Sequence, residues 1–188
     1  LCITKKTDDG IELRVHPTLI PTKRLIANVE GAMNAVQVMA DAVGTTLYYG
    51  KGAGAEPTAS AVIADLVDVT RLQTADPEQR VPHLAFQPGS VVNTSVMPIG
   101  EITTSYYLRL RVADVTGVLA DITRILADSG ISIDAMLQRE ADDGENQTDL
   151  IMLTHETKEK HILTAINKIE SLNTVEGSVT KIRLENLS

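Results

Sequence analysis

The 188-residue sequence predicts an α+β protein with two unlike parts. Three observations carry that expectation. From Tyr106 on, apolar alternation gives way to helical spacing and then returns, twice over, in the order strand, helix, strand, strand, helix, strand. Such a βαββαβ order is the ferredoxin-like plan. Before it, Gln73 to Ser105 is broken by Pro77, Pro82, Pro88, Gly89, Pro98 and Gly100, so little regular structure is expected there. Residues 1–72 form a third pattern, short alternating runs followed by one long helical stripe.

Taken in order, Asp8, Asp9 and Gly10 signal a turn. GIELRVHP then alternates Ile11, Leu13 and Val15 with Glu12, Arg14 and His16, a half-buried strand stopped by Pro17. Asn34 to Ala40 is a second strand, Asp41 to Gly44 turns the chain, and Thr45 to Gly50 returns as the hairpin partner. A helix from Pro57 to about Leu72 places Ala59, Val62, Ile63, Leu66 and Val67 on one face. Pro57 suits the first helical position, where its missing N–H costs nothing.

In the distal half, Leu108, Leu110 and Val112 alternate with Arg109 and Arg111. Val118, Leu119, Ile122, Ile125 and Leu126 line a helix that Ser129-Gly130 closes. Ile131, Ile133, Ala135 and Leu137 alternate, and ADDGENQT turns into the strand DLIMLTHE. Ile162, Leu163, Ile166 and Ile169 mark a second helix, and VTKIRLEN ends the chain as a strand. Two helices on one sheet face leave the other face needing cover by a second copy or another domain.

Composition narrows the function classes. A net charge of −8 and the lack of a basic run argue against nucleic acid. No run approaches the ~20 apolar residues that cross a bilayer, and no signal peptide is visible. Cys2, the single cysteine, makes no internal disulfide, which suits a reducing, cytoplasmic setting. His16, His83, His155 and His161 lie too scattered for a transition-metal site. Leu1 opens without methionine on a stretch that reads like the middle of a domain, so upstream sequence is expected.

KGAGAEPTASAV, starting at Lys51, resembles a nucleotide loop at first sight. It lacks the Gly-Lys-Ser/Thr of a P-loop and the third glycine of a dinucleotide fingerprint. Glu56 at the helix start satisfies the dipole and repels a pyrophosphate there. Two readings stay open from the residues: a tight strand-to-helix turn, or a loop that touches a cofactor without cradling its phosphates.

The run NVEGAMNAVQVMADAVGTTLYYGKGAGAEPTASAVIADLVDVTR, Asn28 to Arg71, with RVHPTLIP before it, resembles the C-terminal part of the catalytic region of the homoserine dehydrogenase family. Tyr106 to Ser188 resembles an ACT domain, and ADVTGVLADITRIL from Ala113 is its marker. The resemblance implies a remnant of a mixed α/β catalytic region over 1–72, a linker over 73–104 and an ACT domain over 105–188. It implies a parent enzyme interconverting aspartate semialdehyde and homoserine with NAD or NADP, on the route to threonine and methionine. The nucleotide-holding half and the proton-transferring lysine would lie upstream, so no catalytic residue is assigned here and the chain alone is expected to be inactive. Lys5, Lys6 and Lys23 do not match the family's lysine motif and read as surface residues.

By the same resemblance, Gly52, Ala53, Gly54, Glu56 and Thr58 line the nicotinamide end of the cofactor site. Asp114, Thr116, Gly117, Val118, Leu119 and Ile133 hold an amino acid, threonine by preference, between paired ACT domains of a homo-oligomer. Thr116 stands where the usual motif has proline. Two other readings are a non-catalytic amino-acid-binding module and a pure assembly domain in which Asp114, Thr116 and Gly117 only cap a helix.

Overall fold

A computed structural model describes residues 1–76, 86, 88–139 and 144–187. The chain divides into two compact units, Leu1–Ile20 with Thr94–Ser188, and Pro21–Asn93. His83 and most of HLAF lie outside the described residues, as does the start of the acidic turn, 141–143.

In the Pro21–Asn93 unit, β4 (Met33–Ala40) and β5 (Gly44–Lys51) form an antiparallel hairpin whose register runs from Met33↔Lys51 to Ala40↔Gly44. Gly44, at φ 72°, takes the left-handed conformation that closes it. The expected hairpin is therefore present in its expected place. Helix α1 covers Ala55–Thr74, two residues longer at each end than the sequence suggested. Pro57 is its third residue rather than its first, which is still within the four N–H groups that lack a helical partner. None of its residues is buried, and Val62, Ile63 and Leu66 are more than half exposed.

The other unit begins with β1 (Cys2–Thr7) and β2 (Gly10–Val15), an antiparallel hairpin, then a short β3 (Thr18–Leu19). The strand at 11–15 is where its alternation put it, but its faces are reversed. Glu12 and Arg14 are buried at 5% and 7% exposure, while Leu13 and Val15 stand 50% and 78% exposed. Arg14 pairs with Glu12 and with Glu185, so the polar face turns inward onto a partner 171 residues away.

The remaining elements are β6 (Thr103–Ala113), α2 (Val118–Asp128), β7 (Ile133–Gln138), β8 (Gln147–Thr154), β9 (Thr157–Lys158), α3 (Glu159–Glu170) and β10 (Val175–Leu184). The sheet order is β3-β10-β6-β8-β7, with β9 pairing the start of β6. Without β3 and β9 this is the predicted βαββαβ sheet, its four strands antiparallel to their neighbours. Its core joins Tyr106, Leu108, Leu110 and Val112 of β6 to Ile122 and Leu126 of α2 and to Ile162, Ile166 and Ile169 of α3. Leu163, assigned to that helical face by its spacing, is 42% exposed, and Ala165 takes the buried place. β3 adds to the β10 edge in parallel, pairing Thr18 with Arg183 and Leu19 with Leu184.

Candidate functional site

The glycine loop leaves β5 at Lys51 and enters α1 at Ala55. Gly52, Ala53, Gly54, Glu56 and Thr58 are all exposed. Gly54 caps the helix at φ 119° and ψ 157°, a conformation that side chains rarely adopt. Its carbonyl accepts the first helical hydrogen bond, from Thr58 N at 3.2 Å. At Gly52 the close approach is to Asn34, whose Nδ2 would lie 2.4 Å from an added Cβ. Gly54 thus has a reason internal to the fold, whereas the exposed Asn34 side chain beside Gly52 is free to give way. Residues 52–55 nonetheless offer only backbone and methyl groups on an exposed turn, a surface that suits a flat ring. Glu56 follows in the first helical turn, where the dipole favours it.

The second candidate is the turn between β6 and α2. Asp114, Thr116 and Gly117 are exposed, Leu119 is half-buried, and Val118 is buried, anchoring the helix start in the core. Gly117 is left-handed at φ 99°, and open space surrounds the position of its missing Cβ. No side chain caps α2 at Gly117, and the first helical bond is Asp121 N to Gly117 O at 3.0 Å. The N–H groups before Asp121 therefore lack a helical partner and point where a carboxylate is favoured. Backbone bonds from Asp114 N to Asn146 O at 2.9 Å and from Val115 N to Ala113 O at 3.0 Å hold the turn.

Gln138, which the sequence did not single out, donates to Asp114 Oδ1 at 3.4 Å. It ends β7, whereas Ile133 begins that strand. Five residues of strand span about 17 Å. One chain thus brings Gln138, and not Ile133, to Asp114.

A charged cluster lies on the helix side of the same sheet. Glu159, 2% exposed, accepts from the Tyr106 hydroxyl at 2.7 Å, from Arg183 Nε at 2.9 Å and from Lys181 Nζ. Burial alone raises a carboxyl pKa. Here the Lys181, Tyr106 and Arg183 hydrogen bonds outweigh it and hold Glu159 below its ordinary value. Tyr106 is pushed strongly upward, by burial first and then by the Glu159 carboxylate. The cluster ties β6, α3 and β10 together with every carboxylate oxygen occupied, so it reads as structural. Among the described residues no group of three or more His, Cys, Asp or Glu side chains is arranged to hold a metal ion. No helix among them is long and apolar enough to cross a membrane.

Residues 2–67 match the homoserine dehydrogenase family and residues 106–173 match the ACT domain family. Homoserine dehydrogenase of Neisseria gonorrhoeae is 55% identical over 187 residues, covering 100% of this chain and 43% of the relative. That of Pseudomonas aeruginosa is 52% identical over 188 residues, again covering 43% of the relative. A crystal structure of homoserine dehydrogenase from Thiobacillus denitrificans superposes with a TM-score of 0.89 at 65% identity, over all of this chain and 42% of that one. The chain spans less than half the length of these relatives.

Proposed function

Because the chain joins the C-terminal part of a homoserine dehydrogenase catalytic region to an ACT domain, we propose that it supplies the regulatory end of such an enzyme. In this reading the enzyme interconverts aspartate semialdehyde and homoserine with NAD or NADP in the cytoplasm. The ACT part senses an amino acid, threonine first among candidates, and pairs with a second copy to do so. The observation that carries it is co-linearity: both family matches fall in one chain, and a relative named homoserine dehydrogenase aligns along all of it over 43% of its own length.

Two surfaces have the required chemistry. At the β6–α2 turn, unpartnered helix-start N–H groups attract a carboxylate, Asp114 attracts an ammonium, and the space over Gly117 admits a small zwitterion. Thr116, Val118 and Leu119 border it, and Ile133 of a second copy closes it. At the β5–α1 turn, Gly52, Ala53 and Gly54 offer backbone to the nicotinamide end of the cofactor, with Glu56 and Thr58 beside it. A bound nicotinamide supplies hydride transfer; the residues of this chain only shape one wall of its site. A ligand regulates by preferring one arrangement of the paired domains over another.

Calorimetry of the chain with threonine, serine and isoleucine tests the sensor. Binding to one of them, lost in Asp114→Asn, is expected; no heat with any of the three, in a folded dimer, leaves assembly as the role. Mixing the chain with NADPH and aspartate semialdehyde is expected to give no turnover, since no catalytic lysine is assigned within it.

A further inference from the structure

The family matches and the packing divide this chain at different places. Residues 2–20 fall within the homoserine dehydrogenase match, yet they pack in one compact unit with the ACT domain. Several contacts fix them there. β3 lies parallel to β10, and Glu185 N donates to Leu19 O at 3.0 Å. Ile11 N bonds Ser95 O and Met97 N bonds Ile11 O, each at 2.9 Å. Gly10 packs so closely that a Cβ would lie 2.5 Å from Ser95 O. At the centre, Arg14 donates to Glu185 Oε1 and lies 3.2 Å from Glu12 Oε2, with side-chain exposures of 3% for Arg14, 16% for Glu185 and 6% for Glu12. Thr104 of β6 donates to Leu184 O at 2.8 Å and to Glu185 Oε1 at 3.3 Å.

We propose that Arg14 and Glu185 form a coupling clamp that makes the first twenty residues a rib of the ACT sheet, so that strain in the sheet reaches β2 and β3. The physical case rests on burial and on continuity. A charge pair withdrawn from water is retained only if both members stay paired, because a lone buried charge is severely penalised. Parting Arg14 from Glu185 costs both charges a buried partner, a loss that Glu12 offsets only for Arg14. The chain exits this unit at Ile20 and returns at Thr94, so the exit is anchored to the last strand of the sheet one residue from β3. A shift of β10 against β6 would move Glu185, Thr104 and Leu19 together. Glu185 falls after the ACT match ends at 173, and Arg14 falls inside the other match. The clamp thus bridges two family definitions and belongs to neither.

Hydrogen exchange on the whole 188-residue chain tests this. In the native protein, Ile11–Val15 and Leu19 amides are expected to open together with those of β10. In Glu185→Gln, and independently in Arg14→Met, the amides of β2 and β3 are expected to exchange about ten- to a hundredfold faster. Those of Leu110 and Leu150 are expected to hold. Unchanged exchange at β2 and β3, or an equal loss in the ACT core, would overturn the clamp. A second arm rests on the amino-acid-sensing reading. If threonine, serine or isoleucine binds, residues 2–20 are expected to change their exchange in the native chain and not in Glu185→Gln. Binding that leaves them unchanged refutes coupling. Absence of binding sinks the sensing reading alone, and the first arm still decides the clamp.

Discussion

β2 and β6 carry the same sequence signal and put it to opposite use. Both alternate apolar with charged residues. In β6 the apolar set Leu108, Leu110 and Val112 is 3% exposed or less. In β2 the apolar residues Leu13 and Val15 face out, and the charged Glu12 and Arg14 face in. Alternation fixes that a strand has two faces; it does not fix which one the protein covers. β6 has both helices of its own domain to bury it. β2 has a buried ion pair on one side, and the described residues leave Leu13 and Val15 50% and 78% exposed on the other. The helices repeat the lesson: α2 buries Val118, Ile122 and Leu126, while α1 buries nothing along twenty residues.

The sharpest break of this comparison is a pair of truncations. Leu110→Ala is expected to cost about 2–5 kcal/mol, the ordinary range for a core leucine. Leu13→Ala is expected to cost about 0.5 kcal/mol or less. Urea unfolding of each variant measures both; equal losses would mean that the outer face of β2 is covered in solution. Next in size, Glu159→Gln is expected to lose about 3 kcal/mol, because Lys181 and Arg183 keep their charges without their counterion. The same urea curves read it, and a loss below about 1 kcal/mol would mean that the cluster is solvated.

Acid then separates the two regions by their titrations. His16, beside β2, lies below its ordinary value chiefly through burial; the Pro17 carbonyl opposes this, and Arg183 and Arg14 add repulsion. The unfolded chain therefore takes up that proton more readily. The stability from His16 is complete above about pH 6.5 and is lost as pH falls below it. Glu101, beside β9, is drawn down to about 2 by hydrogen bonds from Lys158 and Lys160. Its contribution is complete above its unfolded value and is lost as pH falls from about 4.5 toward 2. Unfolding midpoints from pH 8 to 3 are expected to show two limbs. His16→Asn removes the upper one and Glu101→Gln reduces the lower. The smallest effect is on α1: Val62→Ala is expected to shift stability by about 0.5 kcal/mol or less, and a larger loss would reveal a partner for that face.

The order of the distal elements was legible because each apolar position finds its partner within about eighty residues of the same domain. Val118, Ile122 and Leu126 are read from spacing alone and all are buried. What escaped depends on distant pairs. The orientation of β2 is decided by Arg14 meeting Glu185, and the Asp114 turn gains Gln138 only through sheet order. β1, to which the residues alone assigned no strand, becomes one because β2 supplies its ladder. The start of α1 was misplaced because Pro57 is tolerated at several first-turn positions, and Gly54 rather than Pro57 sets the boundary.

Tyr106 has a further consequence. The chain has no tryptophan, four tyrosines and one phenylalanine, so its near-ultraviolet signal comes from phenols. Of these, Tyr106 is fully enclosed with its hydroxyl on Glu159, and its proton is held far into alkali. It surrenders that proton only when the sheet and helix part. Phenolate absorbance at about pH 11, where a released tyrosine ionises, therefore gains the Tyr106 share only when the ACT core opens, above the signal of the other three tyrosines, with no label attached.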